Sequence, residues 1–369
     1  QRLGYAELSG LDLLELFAFA HPARFVVPTA KGLSELLGLG EPTGDEAVAS
    51  LLVTAAQTLL ATLTNPSWPE REGAWDAAQA LARLHWPWAR AVAAQLPRPE
   101  QKERWLFSKL PEWEEAPPRT PPRSVVLDRS AVETQLARLT GSGAEVRDGQ
   151  RAFAASAAHI FDPRHRKGEP NMLLAEAGTG IGKTLGYLAP ASLWAQQADG
   201  TVWISTYTKA LQRQLVSEAR RVYPDAQAFK TKVVVRKGRE NYLCLLNLED
   251  ALQGGFAGRA AILAHLVARW AAFTADGDMI GGDIPGWLPT LFRRNGSTAL
   301  TDRRGECIYA GCPHYRKCFI ERAARSSAQA DIVIANHALM MVNAARGREE
   351  ATRPTRIIFD EGHHLFDAA

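Results

Sequence analysis

The chain lacks several features that would place it in a narrow class. Its 369 residues contain no run of about 18 uncharged apolar residues, so no segment is suited to cross a bilayer as a helix and we predict no membrane association. The net charge is only +3 at pH 7, too small to indicate nucleic-acid binding by itself. A composition of 46% apolar and 22% charged residues predicts a globular, cytoplasmic protein with two or three domains.

The sequence has no initial methionine, and its first third lacks the residues from which binding motifs are usually built. The sequence begins at Gln1 without a methionine and stops a few residues after a motif, so we expect both ends to be truncated and no targeting signal to be readable. The first 115 residues hold no cysteine and no glycine-rich loop. Ala, Leu and Trp recur there at helical spacing, as in residues 45–63 and 74–84, which predicts a helical appendage over residues 1–115. Prolines among charges then predict a linker over residues 116–140.

Residues 176–184, Glu-Ala-Gly-Thr-Gly-Ile-Gly-Lys-Thr, form the most informative segment. Small residues keep side chains out of a tight loop, so that its backbone N–H groups can converge on phosphates. The apolar run 172–175 predicts a buried parallel strand before the loop, and 185–197 predicts the helix after it. The alternative is an ordinary glycine-rich turn, which the predicted strand before the loop and the predicted helix after it disfavour. The predicted nucleotide-contacting residues are Ala177, Gly178, Thr179, Gly180, Ile181, Gly182, Lys183 and Thr184.

The strict phosphate-loop pattern asks for glycine where Ala177 stands, so the match depends on Gly182, Lys183 and Thr184. Lys183 is predicted to reach the outer phosphates. The Thr184 hydroxyl is predicted to hold Mg²⁺.

Short β-branched runs alternate with helical stretches through the rest of the chain. Four runs, at residues 201–205, 232–235, 331–334 and 356–359, predict strands of a parallel sheet covered on both faces, which is an α/β fold. Residues 241–319 break this alternation and contain every cysteine. We predict a separate inserted domain there.

The last strand run leads into Asp360-Glu361-Gly362-His363. In an enzyme with a phosphate loop, a carboxylate such as Asp360 at the end of a strand helps hold Mg²⁺, and a second such as Glu361 can orient and deprotonate the attacking water. His363 is then placed to sense the nucleotide state or to link the site to another surface. An exposed Asp-Glu pair alone is commonplace in loops, but its position after a strand in a chain with a phosphate loop favours the catalytic interpretation.

These two motifs together resemble those of helicase superfamily 2, and within it the DinG/XPD group of iron-sulfur DNA helicases. Arg147 and Gln150 lie in a segment similar to the adenine-reading Q motif of that family. Residues 205–215 resemble its motif Ia, which implies contacts of Thr206, Lys209 and Gln212 with the DNA backbone. Ile181 and Gly362 depart from the family pattern, and neither change removes a group that binds phosphate or metal.

The resemblance covers residues 145–369 and implies a RecA-like domain made of residues 141–240 and 320–369. The segments 236–244 and 330–337 resemble those that bracket the iron-sulfur domain of the family, here residues 241–319. The implied activity is ATP-driven translocation from 5′ to 3′ and unwinding, with ATP and Mg²⁺ as cofactors and single-stranded and forked DNA as partners.

The four cysteines are Cys244, Cys307, Cys312 and Cys318. Two disulfides fit poorly with an ATP-driven enzyme in a reducing cytosol. Structural zinc is the rival, although zinc usually takes close Cys-x₂-Cys pairs rather than one distant cysteine and gaps of four and five residues. The spacing alone leaves zinc and an iron-sulfur cluster both open and favours the cluster. The resemblance implies a 4Fe-4S cluster with one ligand from each cysteine.

Residues 11–63 resemble the end of a DnaQ-like exonuclease domain, which precedes the motor in some helicases of this group. That family ends with a histidine and a nearby aspartate in a two-metal site. This chain offers Glu41 and Glu46 and no histidine there, so we predict a non-catalytic remnant that serves for structure or for contact with a protein partner.

Three functions are compatible with parts of this pattern. A DNA helicase explains all motifs, while an ATP-binding regulatory or interaction protein with a metal cluster and no unwinding activity is the alternative. A kinase or transporter ATPase leaves the Q-like motif and the cysteine insertion unexplained. Because the second RecA-like domain that closes a superfamily 2 ATP site lies outside the sequence, we expect this fragment alone to be inactive.

Overall fold

The computed structural model describes residues 10–101, 103, 106–141, 147–164, 166, 168–178, 180–291, 297–303, 305–345 and 354–368. The chain divides into two compact units. Residues 1–114 and 239–321 form one, called here the helical unit, and residues 115–238 and 322–369 form the other, called the sheet unit.

The helices within the described residues are short to medium in length. In chain order they are α1 Leu13–Ala20, α2 Ala30–Leu37, α3 Asp45–Thr62, α4 Ala74–Arg83, α5 Ala89–Gln95, α6 Leu106–Lys109, α7 Arg129–Thr140, α8 Asp148–Ala158, α9 Lys183–Ala198, α10 Lys209–Val222, α11 Ala226–Lys232, α12 Leu245–Asp250, α13 Arg259–Ala271, α14 Trp287–Leu291, α15 Phe319–Gln329 and α16 His337–Ala345.

The sheet unit is built on four parallel strands. They are β1 Val202–Thr206, β2 Val233–Val235, β3 Ile332–Asn336 and β4 Ile357–Phe359, in the spatial order β2-β3-β1-β4. Val202 pairs with Ile332, and Trp203 pairs with Ile357. The α/β fold with a parallel sheet is thereby confirmed, and the order is consistent with a RecA-like domain.

Both faces of this sheet are covered. On one face Ile204 and Ile334 pack with residues of α7 to α10 in a single apolar core. On the other face Trp203 and Val333 pack with Met340 of α16. A strand buried on both faces needs an apolar side chain at every position, which explains why these runs do not alternate in polarity.

Capping side chains fix where several helices of the sheet unit begin. The Asp128 carboxylate accepts a hydrogen bond from the backbone N–H of Ala131 at 3.0 Å, and the Thr208 hydroxyl accepts one from Leu211 at 3.2 Å. Each satisfies one of the N–H groups that the first helical turn leaves without a partner.

The four strand predictions after residue 200 are confirmed within one or two residues, but the prediction for residues 172–175 is wrong. That segment is irregular, and Met172 and Leu174 are 84% and 99% exposed. A strand requires hydrogen bonds to a neighbouring strand. Among the described residues β4 pairs with β1 alone, and residues 172–175 do not pair with its other edge.

The linker prediction holds only in part. Residues 111–128 have no regular secondary structure, as expected for a proline-rich connection. Residues 129–140 instead form α7, whose Val132, Leu136 and Leu139 are buried in the core of the sheet unit. The linker prediction is therefore wrong for α7, because three apolar side chains at helical spacing outweigh the charged residues around them.

The helical unit joins the N-terminal helices to the insertion. The helical character predicted for the N-terminal segment is confirmed by α1 to α6 within the described residues. Helix α13 of the insertion lies against α1 and α4, and the Trp113 indole donates a hydrogen bond to the Tyr315 carbonyl at 2.7 Å. The appendage and the insertion were predicted as separate domains, whereas here they share one compact unit.

Arg269 of α13 lies at the centre of this unit and is 4% exposed. Its guanidinium donates hydrogen bonds to the carbonyl oxygens of Phe19 at 3.0 Å, Glu70 at 2.7 Å and Glu72 at 3.4 Å. It also lies over the Phe19 ring, 4.6 Å from its centroid. Burial lowers the pKa of Arg269 to about 10.

Among the described residues, none of the helices combines the length and apolarity that a bilayer-spanning helix requires.

Candidate nucleotide-binding site

The predicted phosphate loop ends where α9 begins. Gly182 is the residue before the helix and has a φ of +85°, a conformation that favours glycine. A side-chain cap like those of α7 and α10 is absent at the start of α9. The N–H groups of the first turn of α9 are therefore open to an anionic ligand, as in other phosphate-binding helix starts.

Two side chains of the Q-like segment hold this loop. Gln150 is 5% exposed, and its amide donates a hydrogen bond to the Gly182 carbonyl at 2.9 Å. Arg147 donates one to the Gly180 carbonyl. A Cβ atom at Gly182 would overlap the Gln150 amide nitrogen, so this glycine is required by close approach as well as by its φ. Of the predicted loop residues, Thr179 lies outside the described residues.

The carboxylate pair lies at the end of β4. The Asp360 backbone N–H donates to the Ser205 carbonyl at 2.8 Å, which continues the ladder between β1 and β4 by one residue. Glu361 follows with a φ of +55°, an uncommon conformation for a residue other than glycine. Backbone strain of this kind is frequent at functional sites.

Lys183 and Glu361, 178 residues apart in sequence, meet at the carboxyl end of the sheet. The Lys183 Nζ donates to Glu361 Oε1 at 2.7 Å. The structure thus brings the predicted phosphate lysine and the predicted water-activating carboxylate into direct contact, and Asp360 lies beside them. Both partners are about 31% exposed, so a ligand can reach the pair.

The two carboxylates differ in their electrostatic surroundings. Burial, followed by the negative charge of Glu361, raises the pKa of Asp360. The hydrogen bond from Lys183 lowers the pKa of Glu361. Neighbouring titratable groups whose environments push their pKa values apart are typical of sites that use them in different roles.

The histidine that follows is accessible. His363 has a 66% exposed side chain and lies 3.6 Å from Glu361 Oε2. The next residue, His364, stacks on Tyr207 with ring centroids 4.0 Å apart. Tyr207 directly follows β1, so this stack links the two strand ends.

The predicted DNA-contacting residues are not all presented to solvent. Thr206 is fully buried at the end of β1, and Gln212 in α10 is 4% exposed. Lys209, the first residue of α10, is exposed. Contacts of all three with DNA remain a prediction, and Lys209 is the one whose side chain reaches the surface here.

Two residues near the site were missed by the sequence reasoning. Tyr187 lies one helical turn after Lys183, on the face of α9 that reaches Asp360 and Thr184. His337 is 1% exposed, and its Nδ1 lies 2.7 Å from the Ser205 hydroxyl. The four-residue spacing of Tyr187 from Lys183 is a signal that could have been used, because it places both side chains on one helical face.

The four cysteines converge on one cavity of the helical unit. All four are free thiols, and all line one pocket that is partly open to solvent. Arg239 reaches the same cavity and donates to Cys307 Sγ at 2.8 Å. Backbone N–H groups also point at the sulfurs; their donors are Leu246 and Asn247 for Cys244, Tyr309 for Cys307, His314 for Cys312, and Ile320 and Glu321 for Cys318.

Burial raises the pKa of Cys244, Cys312 and Cys318, and the hydrogen bonds from N–H groups oppose this effect because they stabilise a thiolate more than a thiol. Such donors are typical of sulfurs that act as ligands. Among the described residues, however, no three His, Cys, Asp or Glu side chains are arranged around a common point as a single bound ion requires. Zinc holds its sulfurs about 2.3 Å away. In a four-iron cluster the four thiolates bind different irons, which is compatible with a wider cavity.

Comparison with known proteins finds bacterial relatives named YoaA and DinG. The ATP-dependent DNA helicase YoaA of Escherichia coli K12 is 34% identical over 253 residues, which are 66% of this chain and 36% of that protein. The ATP-dependent helicase DinG of Mycobacterium tuberculosis H37Rv is 35% identical over 247 residues, 61% of this chain and 35% of that protein. The 3′-5′ exonuclease DinG of Bacillus subtilis 168 is 31% identical over 231 residues, 62% of this chain and 23% of that protein.

The chain spans about a third of the length of the YoaA and DinG helicases that it matches. No protein-family model matches it. The resemblance inferred from the motifs is confirmed by these relatives, and the chain is related to the DinG- and YoaA-type ATP-dependent helicases.

Proposed function

We propose that this chain carries the first half of the ATP site of a DNA helicase that translocates from 5′ to 3′ and unwinds forked DNA. The observation that carries the proposal is the contact of Lys183 with Glu361 at the carboxyl ends of the strands. In open α/β sheets, ligands bind at this edge. The loop, the open start of α9 and the carboxylate pair supply the parts that phosphoryl transfer requires.

Each residue has a role in this proposal. Bound ATP replaces Glu361 as the partner of Lys183, which then neutralises the outer phosphates. Thr184 and Asp360 would hold Mg²⁺, which usually keeps several waters and takes only one or two carboxylates. Glu361, released from Lys183, orients the attacking water and accepts its proton. Arg147 and Gln150 hold the loop here and would meet the adenine when nucleotide is bound.

The test uses the full-length protein and its Lys183→Ala variant. We expect the wild type to show DNA-stimulated ATP hydrolysis and to unwind a fork with a 5′ tail. The variant should lose about 100-fold or more of both activities, because a charge that stabilises the transition state is removed. Lys31→Ala, an exposed lysine of the helical unit, is the control and should retain both.

Other results would favour other functions. ATP binding without DNA-stimulated hydrolysis in the wild type would point to an ATP-binding regulatory protein. Unwinding that requires a 3′ tail would overturn the proposed direction.

We also propose that Cys244, Cys307, Cys312 and Cys318 hold a 4Fe-4S cluster of structural role. The shared cavity and the N–H donors to each sulfur support it. When bound, the cluster would link segments of the insertion that are far apart in sequence, and its thiolates would be stabilised by the donors described above.

Metal analysis of anaerobically purified full-length protein tests this proposal. We expect a brown protein with broad visible absorption and about four irons and four acid-labile sulfides per chain. Replacing Cys312 by Ser should remove most of the iron. Stoichiometric zinc without acid-labile sulfide would contradict the cluster and establish the rival site.

The N-terminal segment is proposed to be structural rather than catalytic. Glu41 is paired with Lys31 at 2.7 Å on the surface, and Glu46 is exposed in the first turn of α3. Neither lies in a cluster of carboxylates suited to metal among the described residues. The packing of this segment with the insertion supports a structural role, and a protein partner would have to bind its outer surface.

A further inference from the structure

Tyr187 has a buried hydroxyl group that makes no well-aligned hydrogen bond in this structure. The side chain is 4% exposed and lies in the core of the sheet unit. Its hydroxyl oxygen is closed off from solvent, and none of its contacts has the geometry of a full hydrogen bond. The polar groups with which it interacts are the Asp360 carboxylate and the Thr184 hydroxyl. These are the two groups that the proposed function assigns to Mg²⁺.

A buried hydroxyl without a well-aligned hydrogen bond destabilises the folded state relative to a hydrogen-bonded one, because it has lost its water without full replacement. A phenylalanine would fill the same space without this cost, since the ring rather than the oxygen packs against the apolar core. The hydroxyl therefore has a role that this structure does not show. Its neighbours, Asp360 and Thr184, indicate that this role is in the ligand-bound site.

We propose that Tyr187 is a positioning residue for the metal site: its O–H donates to the Asp360 carboxylate and fixes the oxygen that faces Mg²⁺. This inference rests on the proposed function. Asp360 has two oxygens, and one can accept from Tyr187 while the other binds the ion. A carboxylate held in this way loses less rotational freedom when the metal binds, so the site binds metal more tightly.

The position of Tyr187 on α9 makes the arrangement rigid. Lys183, Thr184 and Tyr187 all lie within the first five residues of this helix, so the phosphate lysine, the metal hydroxyl and the positioning hydroxyl move as one body. Asp360 is attached to the sheet by its hydrogen bond to Ser205. Tyr187 therefore connects the helix and the strand that must keep their spacing for Mg²⁺ to be shared.

The experiment compares full-length wild type with Tyr187→Phe, which removes only the hydroxyl. The Mg²⁺ concentration that gives half-maximal ATP hydrolysis should rise about 10-fold, and binding of Mn²⁺ with ADP, followed by electron paramagnetic resonance, should weaken equally. At saturating Mg²⁺ the turnover should recover to within about 3-fold of the wild type. The melting temperature should be unchanged or higher, because an unsatisfied buried group has been removed.

Tyr223→Phe is the matched control. Its hydroxyl also donates to a carboxylate of the sheet unit, Asp331 at 2.7 Å, but at the opposite end of the strands from the nucleotide loop. This variant should leave the Mg²⁺ dependence unchanged. A requirement for Mg²⁺ in Tyr187→Phe within about 2-fold of the wild type would overturn the positioning role.

Asp360→Asn separates this failure from failure of the proposed function. If Asp360→Asn abolishes Mn²⁺ binding while Tyr187→Phe has no effect, only the role of Tyr187 is wrong. If Asp360→Asn retains Mn²⁺ binding and hydrolysis, the metal site of the proposed function is itself wrong, and the inference falls with it.

Discussion

Full-length protein carrying Glu361→Gln should hydrolyse ATP about 100 to 10,000 times more slowly than the wild type, which is the range expected when a general base is removed. Glutamine keeps the shape of the side chain and can still orient a water, but it cannot accept a proton. Nucleotide binding should be equal or tighter, because Lys183 is released from its 2.7 Å ion pair and is free for the phosphates. Steady-state hydrolysis and titration with a fluorescent nucleotide would be measured together.

The control for this variant is Glu133→Gln on α7. Glu133 is exposed and pairs with Arg129 on its own helix, so hydrolysis should be unaffected. A Glu361→Gln protein that retains about half of the wild-type turnover would show that another group accepts the proton. It would leave the phosphate-binding role of Lys183 untouched.

Arg269→Ala should destabilise the helical unit by about 3 to 5 kcal/mol, because it removes the donor from the buried Phe19 carbonyl and from the partly buried carbonyls of Glu70 and Glu72, and it opens a cavity between α13 and the N-terminal helices. This exceeds the effect of most point mutations and is a large part of the stability of an ordinary domain. Arg269→Lys should recover only part of the loss, since an ammonium group cannot reproduce the planar fork that reaches carbonyls on separate segments.

Chemical denaturation followed by tryptophan fluorescence would measure the effect, since Trp68, Trp86, Trp88 and Trp270 are all buried in the helical unit. Arg98→Ala, an exposed arginine in the same unit, should change the free energy of unfolding by no more than about 0.5 kcal/mol. A loss below about 1 kcal/mol for Arg269→Ala would mean that the appendage and the insertion are held together mainly by other contacts.

Local patterns predicted the parts of the fold that depend on local physics. Buried parallel strands are continuous apolar runs, and this signature located β1 to β4. The phosphate loop and the Asp360-Glu361 pair were recognised separately, because glycine spacing and adjacent carboxylates are visible in the sequence. That Lys183 and Glu361 touch could only be expected from the rule that parallel strands end at one edge of the sheet.

The features that were missed depend on distant partners. Residues 172–175 have the apolarity of a strand, but whether a run joins a sheet depends on hydrogen bonds to another strand, which composition does not reveal. Arg269 stands in an apolar helix and gives no sign that its partners are backbone carbonyls, which have no side-chain signature. The hydroxyl of Tyr187 gave no signal in the sequence, because the Asp360 carboxylate beside it lies far along the chain.

The helical unit is made of two segments that are far apart in sequence, and this has a consequence for biosynthesis. Arg269 and the Phe19 carbonyl that it binds are separated by 250 residues. At ordinary rates of translation the N-terminal helices wait roughly 10 to 50 s on the ribosome for this partner to be made. In that interval the apolar surface of Phe17 and Phe19 lacks its cover of α13, so folding of the helical unit depends on slow, long-range closure.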